Sequence, residues 1–166
     1  MLQSVIRVWV LQSALILLHA FSQSEVENHG LGAQYDWVDW PLPAAEAADK
    51  PVMVVIHKPH CPACKNLKAW FSQSQDILRL SGQFSMVNIV SGTKEAPQLE
   101  VDGRYVPRIY FLDSQGNVLQ HIVNPKGNPA YKYFYFDEAS VVESMRTVLE
   151  TETDTVQQEA VPEKEL

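Results

Sequence analysis

The sequence predicts an α/β fold in which a central mixed sheet is flanked by helices. Three observations indicate this class. The continuous apolar run 51–56 is typical of a strand buried on both faces, and residues 84–90 predict a second strand. Apolar residues at helical spacing lie between these two runs. Further along, the turn residues 113–116 separate two more strand-like segments, which predicts a hairpin and therefore strands of both directions.

Local patterns predict the elements of the first half. Residues 36–40 alternate between polar and apolar side chains and predict a short strand. Residues 44–49 favour a helix because alanine has the highest helix propensity. Pro62 suits the first position of the next helix, where its missing N–H is not needed. The side chains after Pro62 divide into an apolar face and a polar face, with Cys64, Leu67, Trp70 and Phe71 on the first and Lys65, Asn66 and Lys68 on the second.

The second half is predicted in the same way. Residues 74–82 read as a short helix that begins at a serine and ends at a glycine. The polar stretch 91–105 leads to a third strand at 106–112, and the hairpin continues in a fourth strand at 117–123. Residues 139–149 close the domain as an amphipathic helix. Its predicted core-facing residues are Val141, Val142, Met145 and Val148.

Composition narrows the class of function. A chain of 166 residues with 46% hydrophobic residues has the size of one globular domain and can build a core without disulfide staples. The formal net charge is −7, and no Lys/Arg-rich run occurs. Nucleic acids and anionic membrane surfaces are therefore not expected as partners. No cofactor is expected either.

Both ends of the chain resemble targeting signals. Residues 1–22 combine one basic residue, a short apolar run over 8–18, and small residues at Ala20 and Ser22, which predicts a secretory signal peptide. The apolar run is shorter than the roughly 20 residues that span a bilayer, so no membrane span is expected. The final Glu-Lys-Glu-Leu, residues 163–166, resembles the Lys-Asp-Glu-Leu retrieval signal that a receptor reads. The predicted location is the endoplasmic reticulum lumen.

These ends set the predicted domain organisation. Polar residues 23–34 are expected to form a flexible arm, and residues 35–149 form the folded domain. Residues 150–166 are acidic and poor in large apolar side chains. They predict a solvated tail that keeps the retrieval signal accessible.

The two cysteines are adjacent in the motif Cys61-Pro62-Ala63-Cys64. Secreted proteins that use disulfides as scaffolding usually carry several, spread along the chain. A bridge across so small a loop would remove little entropy from the unfolded chain. The pair therefore indicates thiol chemistry and not a structural staple.

A buried strand that leads into Cys-x-x-Cys at a helix start, followed by Val-Pro before a hairpin strand, resembles the thioredoxin superfamily. The finer pattern is similar to the anterior-gradient-related endoplasmic reticulum thioredoxin-like proteins, the group of thioredoxin domain-containing protein 12. The resemblance spans roughly residues 30–149 and both targeting ends. The matching segments are 51–58, 61–65, 105–108 (Tyr-Val-Pro-Arg), 127–129 (Gly-Asn-Pro) and 131–135 (Tyr-Lys-Tyr-Phe-Tyr).

The resemblance implies a thioredoxin-like fold and a thiol–disulfide oxidoreductase. Its substrates would be cysteines of client proteins in the secretory pathway, and glutathione or another redox partner would complete the cycle. Cys61, at the helix start, is the predicted nucleophile because the helix dipole and free backbone N–H groups favour its thiolate. Cys64 lies one turn further in and is the predicted resolving thiol. The preferred direction of exchange is not indicated by the sequence.

Seven residues are candidate active-site support: Pro62 and Ala63 between the two cysteines, and five neighbours outside the motif. Protonated His60 and His57 would stabilise the Cys61 thiolate, and Lys58 adds a nearby positive charge. The alternative is that His57 packs at the strand end and Lys58 is simply solvated. By resemblance, Pro107 is a cis-proline that faces the cysteine pair, so that the Val106 backbone would pair with a client chain. The alternative is an ordinary trans proline at a strand start.

Three features depart from ordinary thioredoxins. The buried acid that usually stands six residues before the first cysteine is replaced by Val55. The flanking tryptophans are replaced by His57 and His60. The dipeptide Pro62-Ala63 stands where protein disulfide isomerases usually have Gly-His.

Two other functions compete with the redox one. A zinc site at His57, Cys61 and Cys64 would need a fourth ligand, but a second Cys-x-x-Cys pair is missing and His121 is the only other histidine in the predicted core. No metal is therefore expected. A client-binding chaperone or adaptor with little redox turnover is the second alternative. An aromatic cluster would suit client binding, although core packing is favoured; it comprises Tyr131, Tyr133, Phe134, Tyr135 and Phe136.

Overall fold

The computed structural model describes residues 26–42, 50–93 and 97–159. Within these ranges the strands are β1 (Trp37–Val38), β2 (Val52–His57), β3 (Ser85–Val90) and β4 (Arg108–Leu112). The helices are α1 (Pro62–Phe71), α2 (Gln75–Ser81) and α3 (Glu138–Glu159), with a 3-10 turn at Pro97–Leu99.

The strands form one mixed sheet in the order β1-β3-β2-β4. β2 pairs in parallel with β3 and antiparallel with β4, so that Val54 lies opposite Val87 on one side and Tyr110 on the other. Every residue of β2 and of β4 is buried, because a central strand is covered on both faces of the sheet. The predicted α/β class and thioredoxin-like architecture are confirmed.

The alternation of side chains along β2 feeds two hydrophobic layers. Met53 and Val55 point into the layer shared with α1 and α3, where they join Phe71 and Met145. Val54 and its neighbours on the same side point into the opposite layer. That layer also contains Trp40, Val52, Ile56, Val87, Ile89, Leu99, Tyr110, Leu112 and Tyr133.

α1 begins where the sequence predicts. Cys61 is the N-cap residue and Pro62 occupies the first turn. The buried face of the helix is Cys64, Leu67 and Phe71, which confirms the apolar face except at Trp70, which is only half-buried. Helix α2 is capped by Ser74, whose hydroxyl accepts the N–H of Ile77 at 3.0 Å. The same hydroxyl donates to the Glu138 carboxylate and so joins α2 to the start of α3.

The predicted fourth strand at 117–123 is wrong. It is reduced to a single antiparallel bridge between Leu112 and Val118, after which the Leu119 N–H still donates to the Phe111 carbonyl. The chain then turns, with the Ile122 N–H bonded to the Leu119 carbonyl, and Ile122 enters the core at 4% exposure. The turn buries the Ile122 side chain in the core. It also ends the pairing with β4 that a longer strand would need.

The described part of the segment predicted as an arm, residues 26–34, contacts the domain. Leu31 is fully buried, and the Asn28 carboxamide accepts the Gly30 N–H at 2.8 Å in the preceding turn. The Asn88 carboxamide also donates to the Glu27 carbonyl at 3.1 Å, and the Trp37 Nε1–H donates to the Gly32 carbonyl at 2.7 Å, so burial and hydrogen bonds together hold this segment on the domain. Helix α3 contains the predicted helix 139–149 but continues to Glu159, since glycine and proline are absent from this stretch. The predicted signal peptide, the predicted helix 44–49 and the retrieval signal lie outside the described residues.

Candidate redox site

Cys61 caps the N-terminus of α1 with its sulfur. The residue has an extended backbone (φ −79°, ψ 122°), and its Sγ accepts the backbone N–H of Cys64 at 3.3 Å. Its carbonyl accepts the Lys65 N–H at 3.0 Å, which starts the helix. The first turn holds no acidic side chain. The Cys61 sulfur is thus half-exposed and receives an N–H from the first turn of the helix.

Cys64 lies directly behind Cys61 and is fully buried. Its Sγ accepts the backbone N–H of Lys58 at 3.4 Å. Burial is the main cause that raises the pKa of the Cys64 thiol to about 11, and the hydrogen bond with Cys61 raises it further. The Lys58 N–H and the positive charge of Lys68 act in the opposite direction. At neutral pH the buried thiol is therefore protonated, while the outer sulfur is accessible.

Val106 and Pro107 face the cysteines from the other side of the site. The Val106–Pro107 peptide bond is cis, in agreement with the resemblance. The Cys61 thiol donates to the Val106 carbonyl oxygen across 3.7 Å.

Arg108 holds the loop that carries Val106. Its side chain is fully buried, and its Nη1 donates to the carbonyls of Leu99 (3.3 Å) and Gly103. The guanidinium carbon lies 5.9 Å and 5.8 Å from the ring centres of Tyr105 and Tyr110. One planar donor group thus ties both ends of the loop before β4. No pattern in the sequence pointed to Arg108.

Tyr105 adds a second tie in the same loop. Its hydroxyl donates to the Asp102 carboxylate at 2.6 Å and accepts the Tyr133 N–H at 3.0 Å. The other donor to Asp102 is the Lys132 N–H at 3.0 Å. The segment 131–133 is thereby attached to the loop. Within the predicted aromatic cluster, Tyr133 and Tyr135 are core residues, whereas Tyr131 and Phe136 are 49% and 52% exposed.

A cleft of about 440 Å³ opens beside Cys61. It lies where β2 and β3 end, because the Ser91 N–H continues the parallel ladder by donating to the His57 carbonyl at 2.8 Å. Loops after parallel strands meet at one edge of a sheet, which is where such folds place their sites. The cleft is lined by Lys58, Pro59, His60, Cys61, Val90 and Ser91.

The three basic residues among the predicted supporting residues are divided between two places. Lys58 and His60 are exposed in the cleft beside Cys61. His57 is fully buried behind the site, with its ring centre 5.4 Å from that of His29. Burial, with a contribution from the nearby Lys68 charge, lowers the pKa of His57 to about 4. His57 is thus neutral at neutral pH, which favours the packed-residue interpretation over thiolate stabilisation by charge.

In the folded protein the pKa of His57 lies below the ordinary value of 6.5. As the pH falls, His57 therefore becomes protonated in the unfolded chain before it does so in the folded protein. Stability is expected to fall as the pH drops from about 6.5 to about 4, by on the order of 2 to 3 kcal/mol from this residue. His57→Phe should remove that part of the loss. The measurement is the free energy of unfolding in urea at pH 7.5, 5.5 and 4.5. The exposed His121→Phe serves as control, and equal pH dependence in both variants would contradict the assignment.

Lys68 is the second residue that sequence reasoning missed. The pattern assigned it to the solvent face of α1, but the side chain is half-buried and interacts electrostatically with both cysteines. The signal was its spacing, since Lys68 follows Cys64 by four residues and therefore lies on the same helix face. His121, expected in the core, is exposed instead. In the described part of the chain, no three His, Cys, Asp or Glu side chains are grouped so that they would hold a metal ion.

The chain is similar in sequence to known thioredoxin-like proteins. The chain matches the Thioredoxin-like family over residues 33–114. It is 32% identical over 125 residues to Anterior gradient protein 2 homolog of Homo sapiens, covering 74% of this chain and 71% of the relative. It is also 32% identical over 126 residues to Anterior gradient protein 3 of Mus musculus, covering 74% and 76%. For Anterior gradient protein 2-B of Xenopus laevis the identity is 30% over 131 residues, covering 77% and 79%.

Within the described ranges, none of the helices combines the length and the apolar character needed to cross a bilayer. The fold, the family match and the similarity over most of both chains agree with one another. The chain therefore belongs to the anterior gradient family of thioredoxin-like proteins.

Proposed function

We propose that this protein is a thiol–disulfide oxidoreductase that acts on cysteines of client proteins through Cys61 and Cys64. One observation carries the proposal. The half-exposed Cys61 sulfur receives the N–H of Cys64 at 3.3 Å and lies 3.7 Å from the Val106 carbonyl, with the Cys64 thiol buried behind it. This arrangement separates an accessible nucleophile from a protected second thiol, as two-step exchange requires.

In the first step the Cys61 thiolate attacks one sulfur of a client disulfide. A bond forms between Cys61 and that sulfur, the client S–S bond breaks, and the other client sulfur leaves as a thiolate that takes up a proton. In the second step Cys64 loses its proton and attacks Cys61. The Cys61–Cys64 disulfide forms, the second client thiol is released, and two electrons have passed from the protein to the client. Client oxidation follows the reverse path.

The proposal extends to partners and location. Client proteins with cysteines are the substrates, and glutathione or another thiol restores the dithiol form. The predicted signal peptide at 1–22 and the Glu-Lys-Glu-Leu end at 163–166 support residence in the endoplasmic reticulum lumen through a retrieval receptor. The cleft beside Cys61 has a mainly apolar lining next to the exposed Lys58 and His60. A client segment with apolar side chains near its cysteine would suit this surface.

Redox equilibration tests the proposal directly. The purified protein is incubated in glutathione buffers of graded potential, and the state of the two cysteines is read by alkylation and mass spectrometry. We expect one reversible two-electron transition between Cys61–Cys64 dithiol and disulfide, to be compared with the roughly −180 to −210 mV poise of the lumen. The double variant with both cysteines changed to serine is the control. A wild-type pair that never interconverts, or a double variant that refolds reduced and oxidised clients as well as the wild type, would contradict the proposal and favour an adaptor.

A further inference from the structure

The resolving step of the proposed exchange raises an electrostatic difficulty. Cys64 must become a thiolate to attack Cys61, yet it is fully buried, and burial favours the neutral thiol. Val55 occupies the place six residues before Cys61 and is fully buried in the apolar core. It provides neither a charge nor a proton acceptor. The Lys58 N–H already stabilises negative charge on Cys64, and a positive charge nearby would stabilise it further.

Lys68 is placed to do so. Lys68 follows Cys64 by four residues within α1 and follows the N-cap residue Cys61 by seven. All three side chains therefore share one face of the helix. The N-terminal segment covers this face, since a Cβ built on Gly30 would lie 3.8 Å from the Lys68 Cδ. The side chain is half-buried as a result. Within the described ranges, no carboxylate lies within ion-pair distance of its amine.

The groups that influence the charge of Lys68 are the two cysteines and the burial of its side chain. Burial lowers the pKa of Lys68, whereas Cys64 and then Cys61 act to raise it, which means that the ammonium and the two thiolates stabilise each other. From β2, His57 faces the same region and is neutral at neutral pH. The His29 ring of the N-terminal segment lies tilted beside His57 at 5.4 Å, and its Nδ1 is 3.4 Å from the Glu27 carboxylate. The sulfurs are therefore the negative groups that this cation meets. A half-buried cation is screened less than an exposed one, so its effect on a neighbouring thiolate is larger.

We propose that the Lys68 ammonium stabilises the Cys64 thiolate in the resolving step, at a site where position 55 supplies no acid to help move the proton. This inference rests on the proposed function. In the step, the Cys64 proton passes to water and the Cys64 sulfur attacks Cys61. The Cys61–Cys64 bond forms, the Cys61–client bond breaks, and the client sulfur leaves and is protonated. Lys68 keeps its proton throughout. Its positive charge acts only by stabilising the Cys64 thiolate and touches neither the client nor the bonds that change.

The two steps can be timed separately with an uncharged aromatic disulfide. The reduced protein is mixed with 4,4′-dithiodipyridine in a stopped-flow instrument. One thiopyridone is released when Cys61 attacks, and a second is released when Cys64 resolves the mixed disulfide. The rates of both phases are measured between pH 5 and 10 for the wild type, Lys68→Gln and the matched control Lys65→Gln, which removes an exposed lysine from the same helix.

Removal of the positive charge makes the Cys64 thiolate less stable, so it forms only at higher pH. For Lys68→Gln we expect the second phase to be about tenfold slower at pH 7 and its pH midpoint to move upward by about one unit, the smaller end of the effect of a nearby opposite charge. Lys65→Gln should match the wild type. Lys68→Arg should restore most of the rate, because it restores the charge.

Lys68→Met keeps the packed stem without the charge and guards against a folding defect in the glutamine variant. It should show the same upward shift of the second phase. If both neutral variants have the pH profile of Lys65→Gln, the inference is overturned while the proposed function stands. If the wild type releases only one thiopyridone, the proposed function fails and this inference fails with it.

Discussion

Cys61→Ser is expected to abolish disulfide exchange, with a loss of at least about a thousandfold in the rate of client reduction, because a serine hydroxyl does not ionise near neutral pH to act as the nucleophile. The fold should persist, since the serine hydroxyl can still accept the N–H of Cys64 as an N-cap. The measurement is reduction of a disulfide-bonded client with glutathione as electron source, with circular dichroism as a check of folding.

Cys64→Ala separates the two roles. It should retain the attack by Cys61 but accumulate a stable mixed disulfide with the client, which is seen as a covalent adduct on a non-reducing gel. In the reduced wild type at neutral pH, an alkylating agent should label the half-exposed Cys61 before the buried Cys64. Faster labelling of Cys64, or a Cys61→Ser variant that still traps clients, would overturn the assignment of the nucleophile.

Arg108→Met is expected to destabilise the protein by about 3 kcal/mol or more, because the carbonyls of Leu99 and Gly103 lose their buried donor. Methionine fills much of the volume but donates no hydrogen bond. The loop that carries Val106 would also lose its attachment, so client reduction should slow even in molecules that remain folded. Urea unfolding and the rate of client reduction measure the two effects.

Two controls accompany this variant. Arg79→Met removes an arginine that is 69% exposed and pairs with Asp76 nearby in α2, so its effect on stability should stay below about 1 kcal/mol. Arg108→Lys keeps the charge but loses the planar fork, and it should recover only part of the stability. An Arg108→Met protein as stable and active as Arg79→Met would show that the buried guanidinium does not hold the loop.

Local patterns in the sequence were sufficient for the central elements. The apolar run 51–56 became β2, and the motif from Cys61 to Cys64 lies at the start of α1 with the nucleophile candidate as its N-cap. These features depend on neighbours within one or two turns of chain, so spacing reveals them. The fourth strand was predicted from the same kind of pattern and was wrong, because burial of Ile122 through a turn outweighed the local preference.

The surroundings of the two sulfurs, in contrast, depend on residues that are distant in the sequence. Val106 meets Cys61 across 45 residues of sequence, and its carbonyl distance depends on how Arg108 and Tyr105 fasten a loop that has no regular structure. Lys68 shares the Cys64 face of α1 through its spacing of four residues, but its half-burial depends on the segment around Gly30, which covers it. Such contacts join segments far apart in the chain, and no periodicity within one segment encodes them.

The amino-acid order alone therefore established the α/β class, the Cys61–Cys64 pair and its place at a helix start. The folded chain added the burial of Cys64, the neutral His57 and the cation beside the sulfurs. The physical reason is that ionisation depends on the solvent and charges around a group. That environment exists only after distant segments have packed together.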